Sequence, residues 1–148
     1  MKRLLTLLAA CIAACAATAQ SRIETFTFRS ALLGAEKTCS VYLPAGYDDS
    51  GRSYPVLYLL HGASGCHTDW TLKGYMRRIT DETIAAGTAL PMIVVMPDAS
   101  GTGENYTGDR MGYFDVPGWP YERFFFEEFV PAVERRYRIC GDKARRAI

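Results

Sequence analysis

The chain has 148 residues, 49% of them hydrophobic, and carries 17 basic against 16 acidic side chains. That length allows a single domain with its own core, and the near-balanced charge offers no concentrated basic patch for nucleic acid. Of the five cysteines, Cys11 and Cys15 lie close to the amino terminus. Cys39, Cys66 and Cys140 are left for the body, an odd number spaced too widely for a disulfide framework or a zinc site.

Residues 1–19 read as an export leader. Lys2 and Arg3 form a positive start, Leu4 to Ala17 is an apolar run broken only by Thr6, and Ala17-Thr18-Ala19 supplies an A-x-A cleavage site. The run is short and alanine-rich for a permanent span. The expected location is therefore secreted or periplasmic, with cleavage after Ala19. Ile12-Ala13-Ala14-Cys15 also resembles a bacterial lipobox, so lipidation at Cys15 is the minor alternative and the one route to a membrane. Without the leader, 15 basic residues face 16 acidic ones. Residues 20–148 then read as one domain without repeats.

Ile23 to Phe28 alternates, with Phe26 and Phe28 on one side, and Thr38 to Leu43 alternates again around Cys39, Val41 and Leu43. The turn at Leu33-Gly34-Ala35-Glu36 makes the two an antiparallel hairpin. A polar loop, Pro44 to Ser53, leads to Val56-Leu57-Tyr58-Leu59-Leu60, a continuous apolar run of the kind buried on both faces of a parallel sheet. Its carboxyl end opens into His61-Gly62-Ala63-Ser64-Gly65, on the edge where open α/β sheets bind ligands.

Tyr75 to Ala86 has helical spacing, with Met76, Ile79, Thr83 and Ala86 on the expected buried stripe and Gly87 as the stop. Met92 to Met96 is a second apolar strand, which completes a βαβ unit. The stretch from Asp98 to Pro120 shows no period, and a loop of that length in a domain is usually functional. Tyr121 to Tyr137 is helical, with Phe125, Phe129, Val133 and Tyr137 on one face and Pro131 expected to kink or divide it. Arg145-Arg146-Ala147-Ile148 reads as the start of a third parallel strand. The fold class is α/β.

Val41-Tyr42-Leu43-Pro44-Ala45-Gly46-Tyr47 followed by Tyr54-Pro55-Val56-Leu57-Tyr58-Leu59-Leu60-His61-Gly62 resembles the esterase family of the α/β-hydrolase fold that contains esterase D (S-formylglutathione hydrolase), feruloyl and acetyl-xylan esterases and mycolyltransferases. Asp69-Trp70, Ile93-Val94-Val95-Met96-Pro97-Asp98, Tyr121-Glu122 and Phe129-Val130-Pro131 extend the resemblance over nearly all of the body. It implies an amino-terminal part of that fold, cut before the G-x-S-x-G nucleophile elbow, with the serine, acid and histidine of the triad lying beyond Ile148. The chain alone is then expected to be inactive. Left without its following strand, the Val56–Leu60 strand would also present an apolar edge that invites aggregation.

The resemblance assigns one catalytic group here, the backbone N–H of Ala63, as an oxyanion-hole donor. No cofactor and no metal are expected. Ser64 and Ser100 fail the elbow pattern, because Cys66 stands where glycine is required and Asp98 precedes Ser100 by two. His61 reads as a turn residue hydrogen-bonded beneath the loop, and Cys66 beside His67 is adjacency in sequence only. Tyr106, Tyr113, Phe114 and Trp119 are candidate substrate-binding residues, since rigid aromatic faces suit sugar rings or a hydroxycinnamoyl group. Roofing the core is their alternative role.

The leading function is a secreted serine carboxylesterase acting on a small-molecule or polysaccharide-linked ester, acetyl or feruloyl. An acyltransferase on the same fold and a non-catalytic carbohydrate-binding or remnant protein are the alternatives.

Overall fold

The computed structural model describes residues 20–101 and 112–148. The leader and Tyr106 lie outside the described residues.

Strands β1 (Arg22–Arg29) and β2 (Glu36–Leu43) form the expected hairpin, in register from Arg22 opposite Leu43 to Arg29 opposite Glu36. Its turn is tied down from far along the chain. The Glu128 carboxylate accepts the Ala31 and Leu32 N–H groups at 3.2 and 3.1 Å and the Ser30 hydroxyl as well. These strands join β3 (Val56–Tyr58), β4 (Ile93–Pro97) and the terminal β7 (Arg146–Ala147) in one sheet of order β1-β2-β4-β3-β7. β2 runs antiparallel to β4, whereas β4, β3 and β7 are mutually parallel in that order.

β3 and β4 are apolar on both faces because both faces are covered. From β4, Ile93 and Val95 enter one core cluster and Val94 and Met96 the other. The first cluster lies under the long carboxyl-terminal helical segment. The second lies under α3 (Met76–Ala85), which follows two four-residue helices, α1 (Tyr47–Ser50) and α2 (Asp69–Leu72). Cys39 sits at the centre of the first cluster with no exposed surface, and burial pushes its thiol up to about 12. Cys66 and Cys140 are only half-buried. Alkylation of the native protein at pH 8 is therefore expected to label those two and leave Cys39 unmodified until the protein is unfolded. Mass spectrometry of the alkylated peptides checks this, and native labelling of Cys39 would contradict the packing.

Three sequence expectations are corrected. The central strand stops at Tyr58 rather than Leu60. The Leu59 N–H still bonds the Val95 carbonyl at 2.8 Å, but the Leu60 carbonyl leaves the ladder for the Trp70 indole N–H at 2.9 Å. In α3, Met76 is buried and Ile84 packs on the second cluster, whereas Ile79 is 49% exposed. The helix is rolled toward Asp81, whose carboxylate accepts the Tyr42 and Ser21 hydroxyls, each at 2.7 Å. A polar anchor thus overrides the apolar stripe. The stretch before Pro120 contains a minimal hairpin of β5 (Asp115–Val116) and β6 (Trp119–Pro120).

The carboxyl-terminal segment divides as expected, by a specific device. α4 (Tyr121–Phe124) passes through a π-turn at Phe125–Phe129 into α5 (Val130–Arg136). Pro131 has no N–H and its ring would clash with the carbonyl four residues earlier. The chain widens by one residue there, so the Val130 N–H bonds the Phe125 carbonyl five positions back. Phe125, Phe129, Val133 and Tyr137 all remain on the core side, each at most 6% exposed. Beyond it, Arg146 of β7 meets Glu134 of α5 at 2.9 Å, which anchors the last strand to the helix layer.

Candidate active-site loop

The chain leaving β3 is held by groups from three other places in the sequence and by bonds within the loop. The Leu60 carbonyl accepts the Trp70 indole N–H, and the His61 carbonyl accepts the Tyr113 hydroxyl, both at 2.9 Å. The Gly62 carbonyl lies 2.8 Å from His61 Nδ1 and accepts the Gly65 N–H at 3.1 Å. His61 itself is buried, and its Nε2 accepts the Ala99 N–H at 2.9 Å from the end of β4. An amide nitrogen can only donate, so Nε2 carries a lone pair and the ring proton sits on Nδ1. The 3.9 Å approach of Asp98 Oδ1 to Nε2 is therefore not an ion pair. His61 is the hydrogen-bonded turn residue that its position suggested.

With three successive carbonyls tied inward, Gly62, Ala63 and Ser64 are exposed, and their N–H groups make no hydrogen bond among the described residues. Ser64 adopts a left-handed backbone, φ 59°. A run of free amides suits a developing negative charge. Gly65 closes the turn for a steric reason. A Cβ there would stand 2.7 Å from Asp69 Oδ2 and 3.0 Å from both the Gly62 carbonyl oxygen and His61 Nδ1.

Beneath the loop lies a polar layer that sequence reasoning missed. Lys37 is 5% exposed. Its ammonium donates to the Ser100 carbonyl at 2.7 Å, stands 3.9 Å from Asp98 Oδ1, and lies 5.4 Å from the Trp119 ring centre. Burial lowers its pKa, with Asp98 opposing the shift. Asp98 Oδ1 also accepts the Ser100 N–H at 2.7 Å and the Ser100 hydroxyl. That bond, with the burial of Ser100, makes it a structural serine. The alternation of β2 puts Lys37 in line with Cys39 and Val41, and this was the signal available in the sequence. Tyr121 donates to the Asp98 carbonyl at 2.9 Å. His67 is bound separately, its Nδ1 2.8 Å from the Ser40 hydroxyl, and burial lowers its pKa. No cluster of three or more potential metal ligands occurs among the described residues.

The aromatic candidates separate. Trp119 is 1% exposed and belongs to the core, so its indole roofs the fold rather than facing a ligand. Tyr113 and Phe114 line a cavity of ≈110 Å³ with Leu60, Phe125, Phe126 and Ile148 at the carboxyl edge of the sheet. Phe114 is 76% exposed. A larger cleft of ≈860 Å³ lies against α3 and includes Tyr42, Arg77, Asp81 and Ile84. Its central polar groups, Asp81, Ser21 and Tyr42, already satisfy one another, and the Gly62–Ser64 loop does not border it. Size alone does not make it the reactive site.

A mixed, centrally parallel sheet with helices on both faces, opening at one edge into a clamped loop of free amides, is the framework of an α/β-hydrolase. Residues 30–148 match the family described as "Putative esterase", and the chain belongs to that family. It is 35% identical over 130 residues, 85% of its own length, to an endo-1,4-beta-xylanase/feruloyl esterase of Xylanibacter ruminicola, of which it spans 17%. An esterase of Mycobacterium tuberculosis is 32% identical over 86% of the chain, which spans 26% of that protein. Among solved structures, a ferulic acid esterase superposes with a TM-score of 0.83 at 40% identity, covering 88% of this chain and 49% of its own. The S-formylglutathione hydrolase of Agrobacterium tumefaciens, at 24% identity and a TM-score of 0.66, shares the fold over 85% of this chain and 47% of its own. The chain thus spans about half, or less, of the length of these relatives.

Proposed function

We propose that this chain provides the oxyanion loop and the acyl-group surface of an exported serine carboxylesterase that acts on feruloyl-type esters linked to polysaccharide. The observation that carries the reading is the loop Gly62–Ser64, whose N–H groups stay free among the described residues while the carbonyls of Leu60, His61 and Gly62 are hydrogen-bonded. Attack on an ester carbonyl puts negative charge on its oxygen, and the Ala63 N–H is the donor that meets it. The reading assigns no nucleophile, acid or base to the described residues: Ser100 is held by Asp98, and His61 by two backbone groups.

The aromatic acyl preference rests on the cavity beside the loop. Its ≈110 Å³ is of the order of the space one benzene ring needs, and Tyr113 and Phe114 are among its lining residues. The names of the feruloyl esterase relatives support the same choice. Export rests on the leader in residues 1–19. The whole gene product is expected to hydrolyse methyl ferulate with a kcat/KM at least tenfold above that for an unactivated alkyl acetate. Phe114→Ala should raise KM for the ferulate several-fold and leave the acetate unchanged. Equal rates on both esters would remove the feruloyl assignment, and no hydrolysis of either would remove the esterase reading.

A further inference from the structure

Both ring nitrogens of His61 are engaged by backbone, and the two contacts act in series. The Ala99 N–H, 38 residues further along the chain, occupies Nε2 at 2.9 Å and so selects the Nδ1–H tautomer. Nδ1–H then donates to the Gly62 carbonyl at 2.8 Å. That carbonyl and the Ala63 N–H belong to one planar trans peptide unit, so they point in opposite directions. Fixing the Gly62 oxygen inward aims the Ala63 N–H outward. The Gly65 N–H reinforces the same carbonyl at 3.1 Å, but it comes from within the loop and moves with it. His61 is the tie to the sheet. Its surroundings hold it in place: the Tyr113 ring packs 5.5 Å away, and Asp98, paired with Lys37 and Ser100, lies alongside.

We propose that His61 is a positioning residue for ester hydrolysis: as the Nδ1–H tautomer chosen by the Ala99 amide, it orients the Gly62–Ala63 peptide so that the Ala63 N–H faces the reacting carbonyl. The proposal rests on the esterase reading and goes beyond it by assigning a proton to one atom and a task to that proton. His61 touches no substrate in this arrangement. An Nε2–H ring would set two donors against each other at Ala99 and leave the Gly62 carbonyl held only by the Gly65 N–H within the loop, so that the oxyanion donor loses its tie to the sheet.

Two substitutions separate this task from mere packing. His61→Gln keeps an acceptor where Nε2 stands and removes the donor to Gly62. His61→Asn keeps a donor near the Nδ1 position and removes the acceptor for Ala99. In the whole gene product, His61→Gln is expected to melt close to the parent yet lose tenfold or more in kcat with KM within twofold. His61→Asn is expected to melt lower and still retain more kcat than the Gln variant. Activity that simply follows melting temperature across the pair, or full kcat in His61→Gln, would overturn the proposal. Long-range ¹H–¹⁵N NMR of the imidazole gives a readout independent of turnover. Protonated Nδ1 with bare Nε2 at neutral pH is expected, and protonated Nε2 would overturn the assignment. An unmodified gene product that shows the Nδ1–H signature but hydrolyses no ester overturns the esterase reading while supporting the tautomer lock.

Discussion

Replacing Ala63 with proline in the whole gene product is expected to lower kcat for ester hydrolysis about a hundredfold or more, with little change in melting temperature. The substitution removes the one N–H assigned to the oxyanion. Ala63 is exposed, its N–H has no partner among the described residues, and its backbone is not in the left-handed region. Proline adds no donor where a developing oxyanion needs one, and loss of one such donor typically costs about 2.7–4 kcal/mol of transition-state stabilisation. The effect should fall on kcat rather than KM, because the charge exists only in the transition state. Steady-state kinetics beside a thermal melt decides the matter. Retained turnover would take Ala63 out of the oxyanion hole and leave the loop without its assigned chemistry.

The second large effect is expected at Gly65, and it should combine lost stability with lost activity. A Cβ at this position would fall 2.7 Å from Asp69 Oδ2 and 3.0 Å from the Gly62 carbonyl oxygen and from His61 Nδ1. Two of those three atoms belong to the clamp that orients the Ala63 peptide. Overpacking of this kind costs about 1–3 kcal/mol, and relief requires the loop or His61 to shift. Gly65→Ala should therefore melt lower and lose at least tenfold in kcat. Gly62→Ala is the control: nothing stands within 4 Å of a Cβ there, so its melting temperature should be close to the parent's. If the two alanine variants behave alike, the crowding at Gly65 is not what shapes the loop.

The loop shows how far a sequence can be read. His61-Gly62-Ala63-Ser64-Gly65 after an apolar run announces a turn at the carboxyl edge of a parallel strand, because a strand buried on both faces must end in a loop. It also places His61 beneath the turn. It does not reveal that Trp70 and Tyr113 hold the two preceding carbonyls, since a tryptophan ten residues on has many places to go. Asp69-Trp70 reads as architectural, and the indole contact is what that architecture consists of. Trp119 and Phe114 look alike as loop aromatics, yet one is 1% exposed and the other 76%. Trp119 sits in β6, whose pairing with β5 turns its ring inward. A two-residue strand leaves no period to detect.

The sequence by itself determined the hairpin, the two central apolar strands, the helix between them and the break in the last helical segment. All of these follow from short-range physics: alternation, continuous burial, a glycine stop at Gly87, and a proline without an N–H. Tertiary structure alone decided the rotation of α3, the burial of Lys37 and the tautomer of His61. Each is set by a partner remote in the chain: Tyr42 for Asp81 at a separation of 39 residues, Ser100 for Lys37 at 63, and Ala99 for His61 at 38. A buried polar group must find its partner wherever the fold brings one. Local pattern records that such a group exists, and only the assembled sheet edge determines which partner answers it.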